Sequence, residues 1–357
     1  MLIGIPREIK PLEGRVALIP AACSELIHSG HKVYLESGAG ERSGYSDSEY
    51  QSLGVDILPD ASSVYGQTEI VVKVKEPIGP ELDMLRPEHI LFSFLHLAAG
   101  HQLLQRLLAI GLTAISFETV QNNTGGLPIL APMSDIAGRL AVHHGINLLF
   151  QSEGGRGLLL GGVPGTERGH VVVIGAGNAG SNAVEVAASL GARVTVFDKK
   201  YQKLESMRRV GANVTTMYPF PEKVAQAVAD ADLLIGAVLV PGARTPHLVS
   251  AQQVESMRKG SVIVDIAVDQ GGCVETIRPT SYDNPTFIHS GVIHFGVTNI
   301  PGAVPRTASQ ALTTAMIPYL HTLASGGLAT STSLQAGINV ADGHIVHMAL
   351  KKQFTEK

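Results

Sequence analysis

His170-Val171-Val172-Val173-Ile174-Gly175-Ala176-Gly177-Asn178-Ala179-Gly180 is the stretch whose reading decides the fold. Its four apolar residues read as a buried parallel strand. Glycines at 175, 177 and 180 then fit G-x-G-x-x-G, and Val184, Ala187, Ala188 and Leu190 continue with helical spacing. A strand, a tight turn and a helix therefore follow one another. The first glycine makes the turn, the second lets backbone approach a pyrophosphate, and the third permits close helix-strand packing. The helix start adds unpaired N–H groups and a positive dipole end.

Alone this motif is weak, because turns favour glycine anyway. Its surroundings agree with it. Leu190-Gly191 ends the helix, Val194 to Phe197 forms a second strand, and Asp198 stands at its end. An acid about 20 residues beyond the glycines is where a dinucleotide fold binds the adenosine ribose hydroxyls. This region reads as a nucleotide-binding unit.

With 357 residues the chain is long enough for two domains. Its 27 basic and 31 acidic side chains nearly balance and form no basic block, so nucleic acid and anionic membranes are not expected as partners. Only 16% of residues are charged and mean hydropathy is positive, which points to surface buried between subunits. Cys23 and Cys273 have neither metal nor redox spacing and read as small buried residues in a reducing compartment. The N-terminus lacks the features of a signal peptide, and no apolar run reaches membrane-spanning length. A soluble cytoplasmic protein is expected.

Before the glycine motif the chain alternates strands and helices. Leu2 to Ile5 reads as a strand, followed by a loop from Pro6 to Arg15, a helix near 21–29 and a strand at Val33 to Glu36. Ile70 to Glu76 alternates so that Lys73 and Lys75 share a face, and Pro77 stops it. Ile90 to Leu95 is apolar, with His96 just beyond. Ligands collect at such strand ends, which singles out Lys75 and His96. Apolar spacing from Met133 to Leu149 predicts a helix starting at Ser134 or Asp135. Gly154-Gly155-Arg156-Gly157 and Gly161 to Gly165 read as ordered turns. Later strands fall at 232–237, 262–267 and 293–297, and a helix over 307–327 returns the chain. These readings give two Rossmann-like α/β domains, parallel sheets flanked by helices, with an active-site cleft between them. Residues 1–128 and 307–357 would form a discontinuous substrate domain, and 129–306 the nucleotide-binding domain.

Several blocks resemble the alanine dehydrogenase family, related to the transhydrogenase alpha subunit, over essentially the whole chain. They include Gly4-Ile-Pro-Arg-Glu-Ile-Lys, Val72-Lys-Val-Lys-Glu-Pro, Phe94-Leu-His-Leu-Ala-Ala, Ala131-Pro-Met-Ser, Gly236-Ala-Val-Leu-Val-Pro-Gly and Val264-Asp-Ile-Ala-Val-Asp-Gln-Gly-Gly-Cys. The resemblance implies reversible oxidative deamination of L-alanine by NAD⁺ to pyruvate, ammonia and NADH, in a homo-oligomer that is hexameric in the family. It implies that Arg15 clamps the substrate carboxylate. Lys75 would bind that carboxylate or polarise the carbonyl oxygen, and His96 would carry protons. Asp269 would hold the amino group or the attacking water.

On the cofactor side the resemblance implies Ser134 near the phosphates, and Gly175, Ala176, Gly177, Asn178, Ala179 and Gly180 around the pyrophosphate. Asp198 and Lys203 would lie at the adenosine ribose, and Val238 and Leu239 beside the adenosine or nicotinamide ribose. Ile266, Ala267, Val268 and Asp269 would lie beside the cofactor, with Arg278 and Val297, Thr298, Asn299 and Ile300 on the nicotinamide side. Lys73 and His101 read as structural or surface residues, and the histidine spacing gives no metal site. Two departures from the family pattern stand out: Lys199-Lys200 after Asp198, which would soften rejection of a 2′-phosphate, and Thr298 and Ile300 in the nicotinamide loop. The rival readings are the soluble part of a proton-translocating transhydrogenase and a sensor without catalysis.

Overall fold

The computed structural model describes residues 1–238 and 245–354. The chain divides into two compact units, Met1–Met133 with Gly302–Lys357, and Ser134–Pro301. The first unit opens with β1 (Leu2–Ile5), β2 (Lys32–Glu36), β3 (Asp56–Leu58), β4 (Ile70–Val72), β5 (Ile90–Ser93) and β6 (Thr113–Ser116). The second carries β7 (His170–Ile174), β8 (Arg193–Phe197), β9 (Val214–Met217), β10 (Leu233–Gly236), β11 (Val262–Asp265), β12 (Thr286–His289) and β13 (Val292–Phe295). The strands β14 (Ile338–Ala341) and β15 (His344–Ile345) rejoin the first sheet.

Both sheets are doubly wound. Parallel strands run β3-β2-β1-β4-β5-β6 in one and β9-β8-β7-β10-β11-β13 in the other, so the order reverses beside β1 and beside β7. Ligands bind at such switch points, outside the carboxyl ends of the strands. The sheets are not wholly parallel: β12 pairs antiparallel with β13, β14 with β6, and β15 with β14. Two of these pairs are two-residue hairpins, Ser290-Gly291 and Asp342-Gly343, whose turn residues all have positive φ. That is the turn geometry matched to strand twist.

Apolar side chains on alternate strand positions explain the layering. Val171, Val173 and Ile235 face Ala137, Ala141, Ala183 and Val184, which lie on the helices Ala131–Leu148 and Asn178–Ser189. Val172, Ile174 and Leu234 face Val224, Val228 and Val254 on the other side. In the first unit Val71, Leu91, Leu104 and Leu107 form part of a separate core.

Local chemistry moves some expected boundaries. The helix expected from Ser134 begins at Ala131, where Pro132 suits a first turn, so Ser134 and Asp135 lie within it. The returning helix runs Pro305–Ala324, again with proline at its first position. Arg156 of the glycine run is ion-paired with buried Asp232, which ties those turns to the sheet. Both cysteines are buried and unbridged. Among the described residues no helix is long and apolar enough to cross a membrane.

Three buried histidines engage both ring nitrogens: His89 with Arg86 and Tyr65, His170 with Asp230 and Thr195, His294 with Val292 and Thr276. Burial pushes the pKa of each below its ordinary value. The unfolded chain then takes up protons that the folded one refuses. Stability is therefore complete above the unfolded histidine pKa of about 6.5 and lost as pH falls below it. Urea midpoints should fall steadily from pH 7.5 to 5.5, with a shallower slope in His294→Gln. An unchanged midpoint over that range would contradict this linkage.

Candidate active site

In the second unit the glycine turn leaves β7 at the switch point. Gly175 has φ +100°, and a methyl group on Gly180 would collide with the Gly175 carbonyl oxygen. By contrast, a methyl group on Gly177 would meet only Lys203 Nζ, at 3.7 Å. The turn is thus packed on its protein side and accessible where a pyrophosphate would sit. Gly177 caps the helix Asn178–Ser189, with no side chain bonding its first N–H groups. Gly138 lies against the Ala179 backbone, and Ser134 stands one turn earlier on the same helix face. Asp135 Oδ1 accepts from Asn182 Nδ2 at 3.0 Å. These residues fit a dinucleotide.

Asp198 accepts backbone N–H groups on both carboxylate oxygens. Its Oδ2 accepts the Ala176 N–H and its Oδ1 the Lys200 N–H, each at 2.8 Å, and Lys203 Nζ lies 3.6 Å away. The carboxylate ties the glycine turn to the end of β8. Lys199 and Lys200 are exposed. Val238 is half-buried beyond β10, while Leu239 lies outside the described residues.

The loop carrying Asp269 is closed by another acid. Buried Asp265, at the end of β11, accepts from the Ala267 N–H at 3.0 Å, the Cys273 N–H at 2.7 Å and the Val274 N–H at 3.0 Å. Between these anchors Ile266 is half-buried, Ala267 and Val268 are buried, and Asp269 is exposed. Burial pushes the Asp265 pKa up, with the three N–H groups opposing it. Val297 and Ile300 are buried, Thr298 donates to Thr280, and Asn299 has φ +61°. Arg278 stacks on Phe287, 4.4 Å from its centroid. His144 stacks on Phe295, which gives it a packing role.

In the first unit, β1 and β4 flank the switch point. Contrary to the alternating reading, β4 ends at Val72, so Lys73 and Lys75 do not share a strand face. Glu8 intervenes: its Oε1 accepts the Val74 N–H at 2.7 Å and the Lys75 N–H at 3.4 Å. Lys73 Nζ is buried 3.4 Å from Glu8 and 2.6 Å from Glu81. Burial opposes the Lys73 charge, but the two carboxylates outweigh it and hold its pKa above the ordinary value. Glu81 also accepts the Ile78 N–H at 2.9 Å, so the Lys75 loop is held at both ends.

Arg15 is buried against Glu13, with Nε–Oε1 of 2.7 Å and Nη2–Oε2 of 2.5 Å. Burial pushes the Glu13 pKa up, but Arg15, aided by the charge of Lys75, holds it below the usual carboxylate range. Glu13 occupies the Nε–Nη2 edge, and Nη1 donates to Met133 Sδ at 3.3 Å.

His96 has φ +49°, a conformation that costs a non-glycine residue on the order of 1–2 kcal/mol. Glu118 outweighs that cost: Oε1 accepts the His96 N–H at 2.6 Å and Oε2 the Leu95 N–H at 3.3 Å. Hydrogen bonds to charged acceptors contribute about 1.5–3 kcal/mol each. His101 stacks on Phe354, away from such anchoring. Among the described residues no three metal-binding side chains cluster. The motif reading gives no role to Glu8, Glu13, Glu118 or Asp265, although Glu8 and Asp265 lie within the quoted blocks.

Family models for "Alanine dehydrogenase/PNT, N-terminal domain" and "Alanine dehydrogenase/PNT, C-terminal domain" match residues 4–137 and 141–348. The chain belongs to the alanine dehydrogenase/PNT family. Within it, alanine dehydrogenase of Mycolicibacterium smegmatis is 48% identical, over 99% of this chain and 96% of that protein. A solved L-alanine dehydrogenase structure superposes with a TM-score of 0.96 at 47% identity, covering 100% of this chain and 99% of its own. A transhydrogenase from Sinorhizobium meliloti superposes with a TM-score of 0.85 at 25% identity, covering 98% and 100%.

Removing Glu8 leaves Lys73 with one buried partner and two loop N–H groups without an acceptor. Glu8→Ala should lose on the order of 3–5 kcal/mol of stability, as breaking a buried ion pair does. Denaturant unfolding measures it, and a loss below about 1 kcal/mol, the range of exposed pairs, would show that the cluster is solvent-screened.

Proposed function

We propose that this chain catalyses the reversible NAD-dependent oxidative deamination of L-alanine to pyruvate and ammonia. The observation carrying this reading is near-full-length identity of 43–48% to alanine dehydrogenases, against 25% to the transhydrogenase of similar fold. We assign substrate binding to the first unit and NAD binding to the second. The bound cofactor supplies the hydride acceptor.

Arg15 anchors the substrate carboxylate, and Lys75 binds that carboxylate or polarises the oxygen that becomes the pyruvate carbonyl. Hydride loss from Cα leaves an imino acid, water adds to it, and ammonia departs. His96 takes and returns the protons of water addition and ammonia release. Asp269 holds the amino group or the attacking water. The glycine turn, Ser134 and the helix start hold the pyrophosphate, and Asp198 and Lys203 the adenosine ribose. Val238 and Leu239, then Ile266 to Asp269, Arg278 and Val297 to Ile300, line the rest of the cofactor.

A cytoplasmic homohexamer completes the proposal. Low charge content and exposed Phe150, Leu159, Val163 and Ile288 support association, and light scattering measures the mass.

The defining assay is NADH formation when L-alanine is added to the purified chain with NAD⁺. His96→Ala should lose turnover by about 10²-fold or more with NADH binding nearly unchanged. Arg15→Ala should chiefly weaken pyruvate binding. A fully active His96→Ala, or an Arg15→Ala that weakens NADH instead, would remove these assignments. The Asp198 carboxylate repels a 2′-phosphate, so NAD⁺ should be preferred over NADP⁺ by at least about tenfold, or 1.4 kcal/mol. Equal efficiency would mean that Lys199, Lys200 or Lys203 captures the phosphate.

A further inference from the structure

Glu118 follows β6 in a single turn, Phe117–Thr119, delivered from a rigid base. Phe117 is fully buried, its ring set edge-on to Phe92 and Phe94 at 4.5 and 5.1 Å. Thr119 Oγ1 donates to Asn339 Oδ1 at 2.9 Å, joining this turn to β14. One oxygen accepts the Leu95 N–H, which Ser116 Oγ shares at 3.3 Å, and the other the His96 N–H, so the carboxylate is held at two points.

The left-handed backbone of His96 turns its side chain toward the same carboxylate. Nδ1 lies 3.9 Å from Oε1, the oxygen that accepts the His96 N–H. The Phe94 ring lies parallel to the imidazole, within 6° and with centroids 5.9 Å apart, which restricts the ring plane. The Glu118 side chain is 16% exposed against 46% for His96, so the fixed charge lies on the better-shielded side of the imidazole.

We infer that Glu118 is a positioning residue that keeps the Nδ1–H of His96 directed at its carboxylate, leaving Nε2 to exchange protons with substrate. This rests on the assignment of His96 proposed above. A neutral imidazole carries one N–H and one lone pair, and an acceptor beside Nδ1 selects the tautomer whose lone pair is on Nε2. When Nε2 accepts a proton from the reacting water, the imidazolium faces a fixed carboxylate within ion-pair range. When Nε2 returns that proton to departing ammonia, the Nδ1–H is unchanged. No proton passes to Glu118.

Glu118→Gln in the full-length enzyme tests this, because the amide keeps an oxygen for the His96 N–H and removes the charge. With pyruvate, ammonium and NADH, kcat should fall by about tenfold or more, since losing the acid that orients a catalytic histidine reaches about 10⁴-fold in serine proteases. KM for pyruvate and Kd for NADH, read by fluorescence, should stay within about threefold, because the change acts on turnover rather than binding. In a His96→Ala background Glu118→Gln should change the rate by less than about twofold, as expected for residues acting through one another. Glu118→Asp, which keeps the charge but withdraws it, should fall between wild type and Glu118→Gln. Wild-type turnover in Glu118→Gln, a full additional loss in the double variant, or Glu118→Asp no better than Glu118→Gln would overturn the inference. An active His96→Ala would remove the assignment of His96 and this inference with it. A silent Glu118→Gln beside an inactive His96→Ala removes this inference alone.

Discussion

Carboxylates that accept backbone N–H groups beyond the ends of parallel strands are the interaction on which the candidate site depends. A parallel sheet satisfies its own backbone, but the loops that leave it do not. Here Glu8 holds the turn after β4, Glu118 the turn after β5, Asp198 the turn after β7, and Asp265 the loop after β11. Each acid comes from elsewhere in the chain or from the strand end itself. The bonds it accepts are charge-assisted, roughly twice as strong as neutral ones.

That strength has an opposing term in desolvation. Burial pushes Glu8 and Asp265 upward in pKa, and only nearby donors make their charge tolerable. Lys73 provides such compensation for Glu8 and Glu81, which explains a fully buried lysine two residues before Lys75. Asp265 is held by three N–H groups and the Cys273 thiol. The result is a set of loops held by polar bonds to buried or half-buried carboxylates. Residues proposed for substrate and cofactor therefore stand on backbone already fixed before any ligand arrives, the condition under which a charged side chain acts without reorganisation.

Much of this was legible in the sequence. Val171 to Ile174 and the three glycines mark the nucleotide unit because strand, turn and helix each leave a local signature. Lys75, His96 and Asp269 lie in the loops three or four residues beyond strands that apolar runs reveal. The reading of Ile70 to Glu76 as one alternating strand missed the end at Val72, because Glu8, sixty-six residues before Val74, takes the N–H that would continue the ladder. Glu118 and Asp265 leave no local pattern for the same reason: their partners are distant or backbone. The hairpins at Ser290-Gly291 and Asp342-Gly343 did carry a turn signal, and the expectation of parallel sheets passed over it.

Hydrogen–deuterium exchange on the ligand-free chain measures the anchoring directly, in peptides covering residues 73–78, 94–98, 175–178 and 266–274. Amides of Val74, His96, Ala176 and Cys273 lie outside strands yet should exchange far more slowly than exposed loop amides such as those near Asn122. Glu118→Ala should speed exchange only in the 94–98 peptide, and Glu8→Ala only in 73–78. Fast exchange at all four amides in the unmodified chain would contradict the account.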